Sequence, residues 1–295
     1  SSSSHAPSKF NRHQVQPNSA GKTNENGPMK FLITNDDGFF APGLIALYQA
    51  LKPLGEVTVV APHTCHSSKG HAVDTKSKIR IETKQTDEMG MIHVVHSSPA
   101  DCIRVGLRHV MESPPDFVVA GINPGANLGV DLFYSGTAAA AREAALLGVP
   151  ALALSRYLNE DAPIEWERLS QHARRLVRTL VSGSFSLPDF HFWNVNFPAV
   201  GTDPYPEEIS FVPHGIHPHA VQFEVADRHE NGETLVYSGV YRDRGRSDFC
   251  DVHHLFNQKL TVTPVGPQLT HPQTRESGNL PPQSSIYPLS ADIPI

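Results

Sequence analysis

The amino-acid sequence predicts an α/β fold: a Rossmann-like, three-layer arrangement in which a mostly parallel sheet lies between helices, with a C-terminal β-hairpin added. From Met29 onward, short apolar runs alternate with segments whose apolar residues recur at helical spacing. Several apolar runs end abruptly in polar residues. Two β-rich runs after residue 220 flank Asn231-Gly232, which is typical of a hairpin turn.

The predicted elements follow one another as a parallel sheet requires. The first helix begins at Pro42, after a strand and a polar turn. The second has a clear start, with Ser98 as N-cap and Pro99 at the first helical position. The hairpin is placed at about 220–241, with a connecting loop longer than two residues. We place the strands at 30–34, 57–62, 79–83, 91–96, 116–123, 150–155, 192–197 and 259–264, and the helices at 42–54, 99–111, 138–147 and 164–181.

Both ends of the chain lack this alternation. Residues 1–28 contain Ser, Asn and Gly with almost no apolar side chains, which predicts a disordered extension. Residues 266–295 contain frequent prolines without periodicity, which predicts a tail. We therefore expect the folded domain to span residues 29–265.

Composition limits the classes of binding partner and the cellular compartment that we expect. The net charge of −6 gives no basic footprint for a nucleic-acid polymer, and no uncharged apolar stretch is long enough to predict a membrane helix. The three cysteines lack metal-like spacing, so we expect no disulfide framework and a reducing, cytoplasmic compartment. Neither a P-loop nor a Gly-x-Gly-x-x-Gly motif is present, which disfavours triphosphate hydrolysis and dinucleotide redox chemistry.

Polar side chains follow three of the predicted strands. Asp36 and Asp37 end the first, Ser67 lies in the loop after the second, and Asn123 ends the third buried strand. In open α/β sheets, ligands bind outside the carboxyl ends of the strands. Two adjacent carboxylates repel each other and favour a cation, and oxygen donors suit Mg²⁺ or Mn²⁺. We expect these four residues to hold a divalent metal, with Asp36 and Asp37 as catalytic candidates.

A second feature precedes the alanine-rich helix. Tyr134-Ser135-Gly136-Thr137 combines two hydroxyls and a glycine with the free N–H groups of a helix start. This combination predicts an anion site, so Ser135, Gly136 and Thr137 are phosphate-binding candidates. His71, in the same loop as Ser67, is a candidate for contact with a substrate or a proton.

Simpler explanations stay open for each of these residues. Asn-Asp-Asp-Gly can form an ordinary turn, and a serine in a polar loop such as Ser67 is usually solvated. Asn123 can form an Asx-turn, and Ser135 can serve only as an N-cap.

The ordered motifs together resemble one family. The most specific run is Gly121-Ile122-Asn123 through Asp131 to Tyr134-Ser135-Gly136-Thr137. On this run and the segments below, the sequence between about Met29 and Val265 is similar to the SurE family (survival protein E), which are metal-dependent 5′-nucleotidases. The other matching segments are 35–38, 41–43, 60–62, 70–71, 99–102, 140–143, 194–198 and 260–264.

The resemblance implies a site and an activity. It implies that Asp36, Asp37, Ser67 and Asn123 hold one Mg²⁺ or Mn²⁺ per subunit. It implies hydrolysis of nucleoside 5′-monophosphates, with 3′-monophosphates as further candidates. Ser135, Gly136 and Thr137 would bind the phosphate, with Asn127 as a further substrate-binding residue. It also implies a homodimer or homotetramer in which the C-terminal hairpin is exchanged between subunits.

The chain departs from the family pattern at three places. His63 and Thr64 stand where an acidic residue and an arginine are usual, and Ser247-Asp248 replaces a Thr-Asp pair. The glycine before the last strand is replaced within 253–259. Base preference and assembly therefore stay open. Two alternative functions also stay open: a phosphatase for other phosphoesters or short polyphosphate, and a nucleotide-binding protein without turnover.

Overall fold

The computed structural model describes residues 27–267, which form a nine-stranded sheet covered by helices on both faces and a separate two-stranded hairpin. A π-helical turn at Gly106–Val110 continues the second helix, and a 3₁₀ turn at Gly129–Phe133 precedes the third. The strands are β1 (Met29–Thr34), β2 (Gly55–Pro62), β3 (Ile81–Thr86), β4 (Gly90–Val95), β5 (Phe117–Pro124), β6 (Ala151–Arg156), β7 (Phe192–Phe197), β8 (Ile209–Phe211), β9 (Phe223–His229), β10 (Gly232–Tyr237) and β11 (Leu260–Val265), and the helices are α1 (Pro42–Leu51), α2 (Pro99–Val105), α3 (Gly136–Leu146), α4 (Trp166–Val181) and α5 (Asp251–Phe256).

The central strands are parallel. The strand order is β3-β4-β2-β1-β5-β6-β7-β11-β8, and every pair from β4 to β7 is parallel. β3 is antiparallel to β4, and β11 is antiparallel to β7. The carboxyl ends of β2, β1 and β5 are therefore neighbours along one edge, which is the arrangement that the site prediction needs.

Both faces of the sheet are buried. Phe31 and Ile33 of β1 pack into the core beneath α1 and α4, whereas Leu32 between them packs into the core beneath α2 and α3. Successive side chains of a strand point to opposite faces, so a strand covered on both sides reads as a continuous apolar run. The alanines of α3, including Ala140 and Ala144, are fully buried because their small side chains allow the helix to lie close to its neighbours. The predicted three-layer α/β fold is confirmed.

The C-terminal third differs from the prediction in three details. β8 and α5 were not predicted, because one is three residues long and the other six. The hairpin turn is shorter than predicted: His229 pairs with Gly232, so only two residues connect β9 and β10. A bulge between Thr234 and Leu235 takes up the register change.

The predicted disordered extension 1–28 and the predicted Pro-rich tail 266–295 lie almost wholly outside the described residues, so both stay predictions. Between residues 27 and 267, no helix has the length and apolar character needed to cross a membrane.

Candidate active site

The chain turns sharply where β1 ends. Asn35 is buried, and its side-chain Nδ2 donates to the carbonyl of Gly38 at 2.8 Å. Gly38 has a φ of +107°, which favours glycine. This closed turn sets Asp36 and Asp37 at the sheet edge. Asp36 is only 4% exposed, and Asp37 is partly exposed.

The first turn of α3 contacts Asp36 directly. The Thr137 hydroxyl donates to Asp36 Oδ1 at 2.6 Å. A Cβ on Gly136 would lie 2.7 Å from Asp36 Cβ, so only glycine allows this approach. Burial raises the pKa of Asp36, while the Thr137 hydroxyl and the backbone of Thr137 and Gly136 act in the opposite direction. The two predicted halves of the site, the carboxylates and the helix start, are therefore in contact.

The carboxylate pair has few partners for its charge. Burial, with the negative charge of Asp36 adding to it, raises the pKa of Asp37 to about 6. Asp37 Oδ2 and Asn35 Oδ1 are buried without a hydrogen-bond partner among residues 27–267. Unpaired buried oxygens next to a second carboxylate are what a hard divalent cation would satisfy.

The predicted metal ligands are all oxygen atoms. Within the described part of the chain, no three His, Cys, Asp or Glu side chains lie together in a way that could hold a metal. A cation at Asp36 and Asp37 would therefore need neutral donors for its remaining coordination, and the predicted ones are a serine hydroxyl and an asparagine amide. This composition fits Mg²⁺ or Mn²⁺ better than zinc.

The two predicted neutral donors lie in the loop after β2 and near the end of β5, the two strands that pair with β1. The loop after β2 is tied to the end of β1, because the His66 N–H donates to the Asp36 carbonyl at 2.7 Å. Ser67, the next residue, is exposed. Asn123 follows a register irregularity in β5, and its Nδ2 donates to the Gly125 carbonyl at 2.7 Å, which leaves the amide oxygen for a ligand. Metal ligation by Ser67 and Asn123 remains a prediction.

The predicted phosphate segment is a well-formed helix start. Ser135 Oγ accepts from the Ala138 N–H at 3.0 Å, so the N-cap geometry is present. The Tyr134 carbonyl accepts from the Gly70 N–H at 2.9 Å, which joins this segment to the Ser67 loop. The backbone groups of Gly136 and Thr137 lie within hydrogen-bond reach of Asp36.

Asn127 holds the loop between β5 and α3 in place. Its Nδ2 donates to Ser155 Oγ at 2.7 Å, and its backbone N–H donates to Asn196 Oδ1 at 2.8 Å. Its carbonyl accepts from Nδ2 of Asn194 at 2.9 Å and from Nδ2 of Asn196 at 3.0 Å. These buried bonds fix the loop against β6 and β7.

His71 is paired within the protein. Its Nε2 lies 2.8 Å from Glu143 Oε2, and Arg104 Nε donates to the other Glu143 oxygen at 2.8 Å. Burial raises the pKa of Glu143, but the hydrogen bond from His71 and the charges of His71 and Arg104 outweigh it, so this pKa lies below its ordinary value.

Comparison with known proteins decides the family. The sequence model described as "Survival protein SurE" matches residues 31–216, which include every predicted site residue. The chain belongs to the SurE family. The resemblance seen in the sequence is thereby confirmed.

Individual SurE relatives cover most of the chain. A Synechocystis sp. relative is 40% identical over 236 residues, which are 80% of this chain and 98% of the relative. The protein named 5′-nucleotidase SurE of Syntrophobacter fumaroxidans is 35% identical over 248 residues, 82% of this chain and 95% of its own length. The crystal structure of the SurE protein from Aquifex aeolicus superimposes with a TM-score of 0.70 at 30% identity, covering 82% of this chain and 94% of that one.

One buried carboxylate of this SurE-family chain is absent from the predicted site residues. Asp131 ends the glycine-rich run four residues before Ser135, and it contacts His219, Tyr241 and Arg244. Asp131 itself could have been singled out by its place in the run. The three partners of Asp131 could not have been singled out in this way. They lie beyond the residues that the family model matches and more than eighty residues after Asp131 in the chain.

Proposed function

We propose that this protein is a divalent-metal-dependent phosphatase that hydrolyses nucleoside 5′-monophosphates to nucleoside and phosphate, with 3′-monophosphates as further substrates. One observation carries the proposal: the buried carboxylate of Asp36, beside that of Asp37, is joined to the first turn of α3 by the 2.6 Å bond from Thr137. The proposed cation site and the proposed anion site therefore lie next to each other. The 5′-nucleotidase names of the SurE relatives support this reading.

The proposed metal site holds one Mg²⁺ or Mn²⁺ per subunit. Its ligands are Asp36, Asp37, the Ser67 hydroxyl and the amide oxygen of Asn123. When bound, the cation supplies Lewis-acid polarisation of a phosphoryl oxygen and lowers the pKa of bound water.

The protein's own groups bind and orient the substrate phosphate. The proposed phosphate site is Ser135, Gly136 and Thr137, whose N–H groups carry the positive end of the helix dipole. In this proposal they would donate to the phosphoryl oxygens, over which negative charge is redistributed in the transition state. Asp36 and Asp37 are the proposed catalytic carboxylates, which orient the attacking water by accepting its hydrogen bonds.

Two further residues support substrate binding in this proposal. Asn127 sets the loop that leads into Ser135, through its bonds to β6 and β7. His71 is proposed to contact the substrate from the Ser67 loop, with its ring oriented by Glu143.

We also propose that the hairpin is the oligomerisation arm of the 29–265 domain. Every residue of β9 and β10 is exposed, including Phe223 at 59%, Leu235 at 54% and Tyr237 at 52%. An isolated two-stranded hairpin is marginally stable in water, so these apolar side chains favour exchange between the subunits of a homodimer or homotetramer. Deletion of residues 222–238 should lower the mass measured by light scattering to that of a monomer, and an unchanged mass would contradict the proposal.

The cytoplasmic location is part of the proposal. All three cysteines are free, and Cys102 and Cys250 are buried. Unpaired cysteines fit a reducing compartment.

A panel of phosphorylated substrates tests the activity. We would measure phosphate release by the full chain from the four ribonucleoside 5′-monophosphates, from 3′-AMP, from short polyphosphate and from an aryl phosphate, with chelator and after Mg²⁺ or Mn²⁺ is added back. The highest rates are expected with 5′-monophosphates, with loss under chelator and recovery with metal. Equal rates under chelator would contradict metal dependence. Faster polyphosphate hydrolysis would favour the broader phosphatase, and AMP binding without release would indicate a binding protein.

A further inference from the structure

A carboxylate-centred cluster outside the proposed site supports the helix start. Asp131 is 8% exposed, and its carboxylate receives donors from two separate parts of the chain. The Tyr241 hydroxyl donates to Oδ2 at 2.6 Å, and His219 Nε2 lies 2.7 Å from Oδ1. Arg244, 5% exposed, donates to Oδ2 at 2.8 Å and to Oδ1 at 3.1 Å, which is a bidentate pair. The two carboxylate oxygens are thus fully engaged.

Asp131 is in turn bonded to the proposed phosphate segment. Its backbone carbonyl accepts the N–H groups of Tyr134 and Ser135, each at 2.9 Å. Its Oδ2 also accepts the Leu128 N–H at 2.9 Å, which fixes the turn between residues 128 and 131. A displacement of Asp131 would therefore move Ser135 and the start of α3.

The donors flank the exposed hairpin. His219 precedes β9, and Tyr241 and Arg244 follow β10. Burial, with the charge of Asp131 adding to it, raises the pKa of the Tyr241 hydroxyl, which keeps it a hydrogen-bond donor. A second anchor lies beside the first, because Asp251 Oδ2 accepts the Gly129 N–H at 2.8 Å.

We infer that His219, Tyr241 and Arg244 are positioning residues, which act through Asp131 to hold the Ser135–Thr137 turn against Asp36. The inference rests on the proposed phosphate-binding role of that turn. It assigns the C-terminal segment a part in the reaction although none of its residues is proposed to touch the substrate. The mechanism is geometric, since a displacement of about 1 Å in a positioning element can reduce catalysis by as much as ~100-fold.

Two conservative variants isolate this role. Tyr241→Phe keeps the ring and removes the 2.6 Å hydrogen bond. Arg244→Lys keeps the charge but cannot form the bidentate pair. The matched controls are Tyr48→Phe on α1 and Arg242→Lys, an exposed arginine whose guanidinium lies 5.5 Å from the Phe256 ring.

Each variant is assayed in two ways as the full chain. Steady-state kinetics with AMP and inhibition by inorganic phosphate report on the site, and hydrogen exchange of the peptide covering residues 134–138 reports on the turn. We expect kcat/KM to fall roughly 10- to 100-fold, with KM and the phosphate inhibition constant rising together. We expect exchange of that peptide to accelerate while the β1, β5 and β6 peptides stay protected. The controls should match the wild type in every reading.

The outcomes separate positioning from mere stability. A lower melting temperature with unchanged kinetics, or unchanged exchange at residues 134–138 with altered kinetics, would overturn the inference. If the wild-type protein releases no phosphate from any nucleotide, the proposed function fails. The exchange measurement on the same four variants still decides whether the cluster holds the turn.

Discussion

Two carboxylate sites on either side of the α3 start are built in opposite ways. Asp131 is surrounded by donors from a tyrosine, an arginine, a histidine and a backbone N–H. Among the residues described, Asp36 has one side-chain partner, the Thr137 hydroxyl, and Asp37 Oδ2 is buried without any partner. A fully bonded carboxylate stabilises a local structure, whereas an under-bonded pair is available to a ligand. This contrast indicates which acidic groups support the fold and which are available for chemistry.

The largest expected effect comes from removing charge at the under-bonded pair. Asp36→Asn should lower kcat/KM for AMP by roughly 10³-fold or more, because a proposed metal ligand and catalytic group is lost. The exposed Asp87→Asn in the turn after β3 is the control and should leave the rate unchanged. A variant with near wild-type activity would remove Asp36 from the mechanism.

Substitution of the fully bonded carboxylate should lower the free energy of unfolding as well as the activity. Asp131→Asn leaves the buried Arg244 without its charge partner, which costs about 3–5 kcal/mol of the free energy of unfolding. Urea unfolding followed by circular dichroism measures this. If Asp131→Asn loses less stability than a substitution at an exposed aspartate such as Asp203, the contrast between the two sites is wrong.

Contact between the two halves of the site can be tested at one glycine. In Gly136→Ala the added methyl group would lie 2.7 Å from Asp36 Cβ and 2.8 Å from Asp36 Oδ2, so that the helix start must shift. We expect kcat/KM for AMP to fall roughly 10- to 100-fold. Gly232→Ala, where the nearest atom would lie 4.0 Å away, is the control. Equal activity in the two variants would show that the approach of α3 to Asp36 is unimportant.

The pH dependence of stability should have opposite signs at two carboxylates. The pKa of Asp37 is raised to about 6 from 3.8, so its contribution to stability is present below 3.8 and is lost as the pH rises through 6. With chelator present, the free energy of unfolding of Asp37→Asn relative to that of the wild type should therefore increase as the pH rises. The increase should be about 1–2 kcal/mol at neutral pH after allowance for solvent screening.

The pH dependence of stability at Glu143 should have the opposite sign to that at Asp37. Its pKa is lowered from 4.5, so its contribution to stability is present above that value and is lost as the pH falls. Glu143→Gln should be less stable than the wild type at neutral pH and should converge with it in acid. Unfolding free energies measured at both ends of the range decide the matter, and the same sign for both variants would contradict the assigned pKa directions.

The sequence predicted the regions whose signals are local. Periodicity located eight sheet strands within a few residues, and the abrupt polar ends of β1 and β5 located Asp36, Asp37 and Asn123. The short elements β8 and α5 were not predicted, because three and six residues are too few to show a hydrophobic period. The predicted length of the hairpin turn was wrong, because strand pairing rather than composition fixes that length.

The Asp131 cluster could not be predicted from local patterns. Tyr241 is 110 residues away and Arg244 is 113 residues away, and only the fold brings them together. An aspartate at the end of a glycine-rich run is as compatible with a solvated turn as with a buried ion pair. Periodicity and spacing describe residues that are neighbours in sequence. A hydrogen-bond network formed with a distant segment can therefore be identified only from the structure.

Direct binding of Mn²⁺ tests the central claim, that Asp36 and Asp37 form a divalent-metal site beside the helix start. Isothermal titration of the chelator-treated full chain should give one Mn²⁺ per subunit for the wild type and for Asp87→Asn. Binding should be abolished in Asp36→Asn and Asp37→Asn. Undiminished Mn²⁺ binding in both of these variants, or no binding by the wild type, would contradict the account.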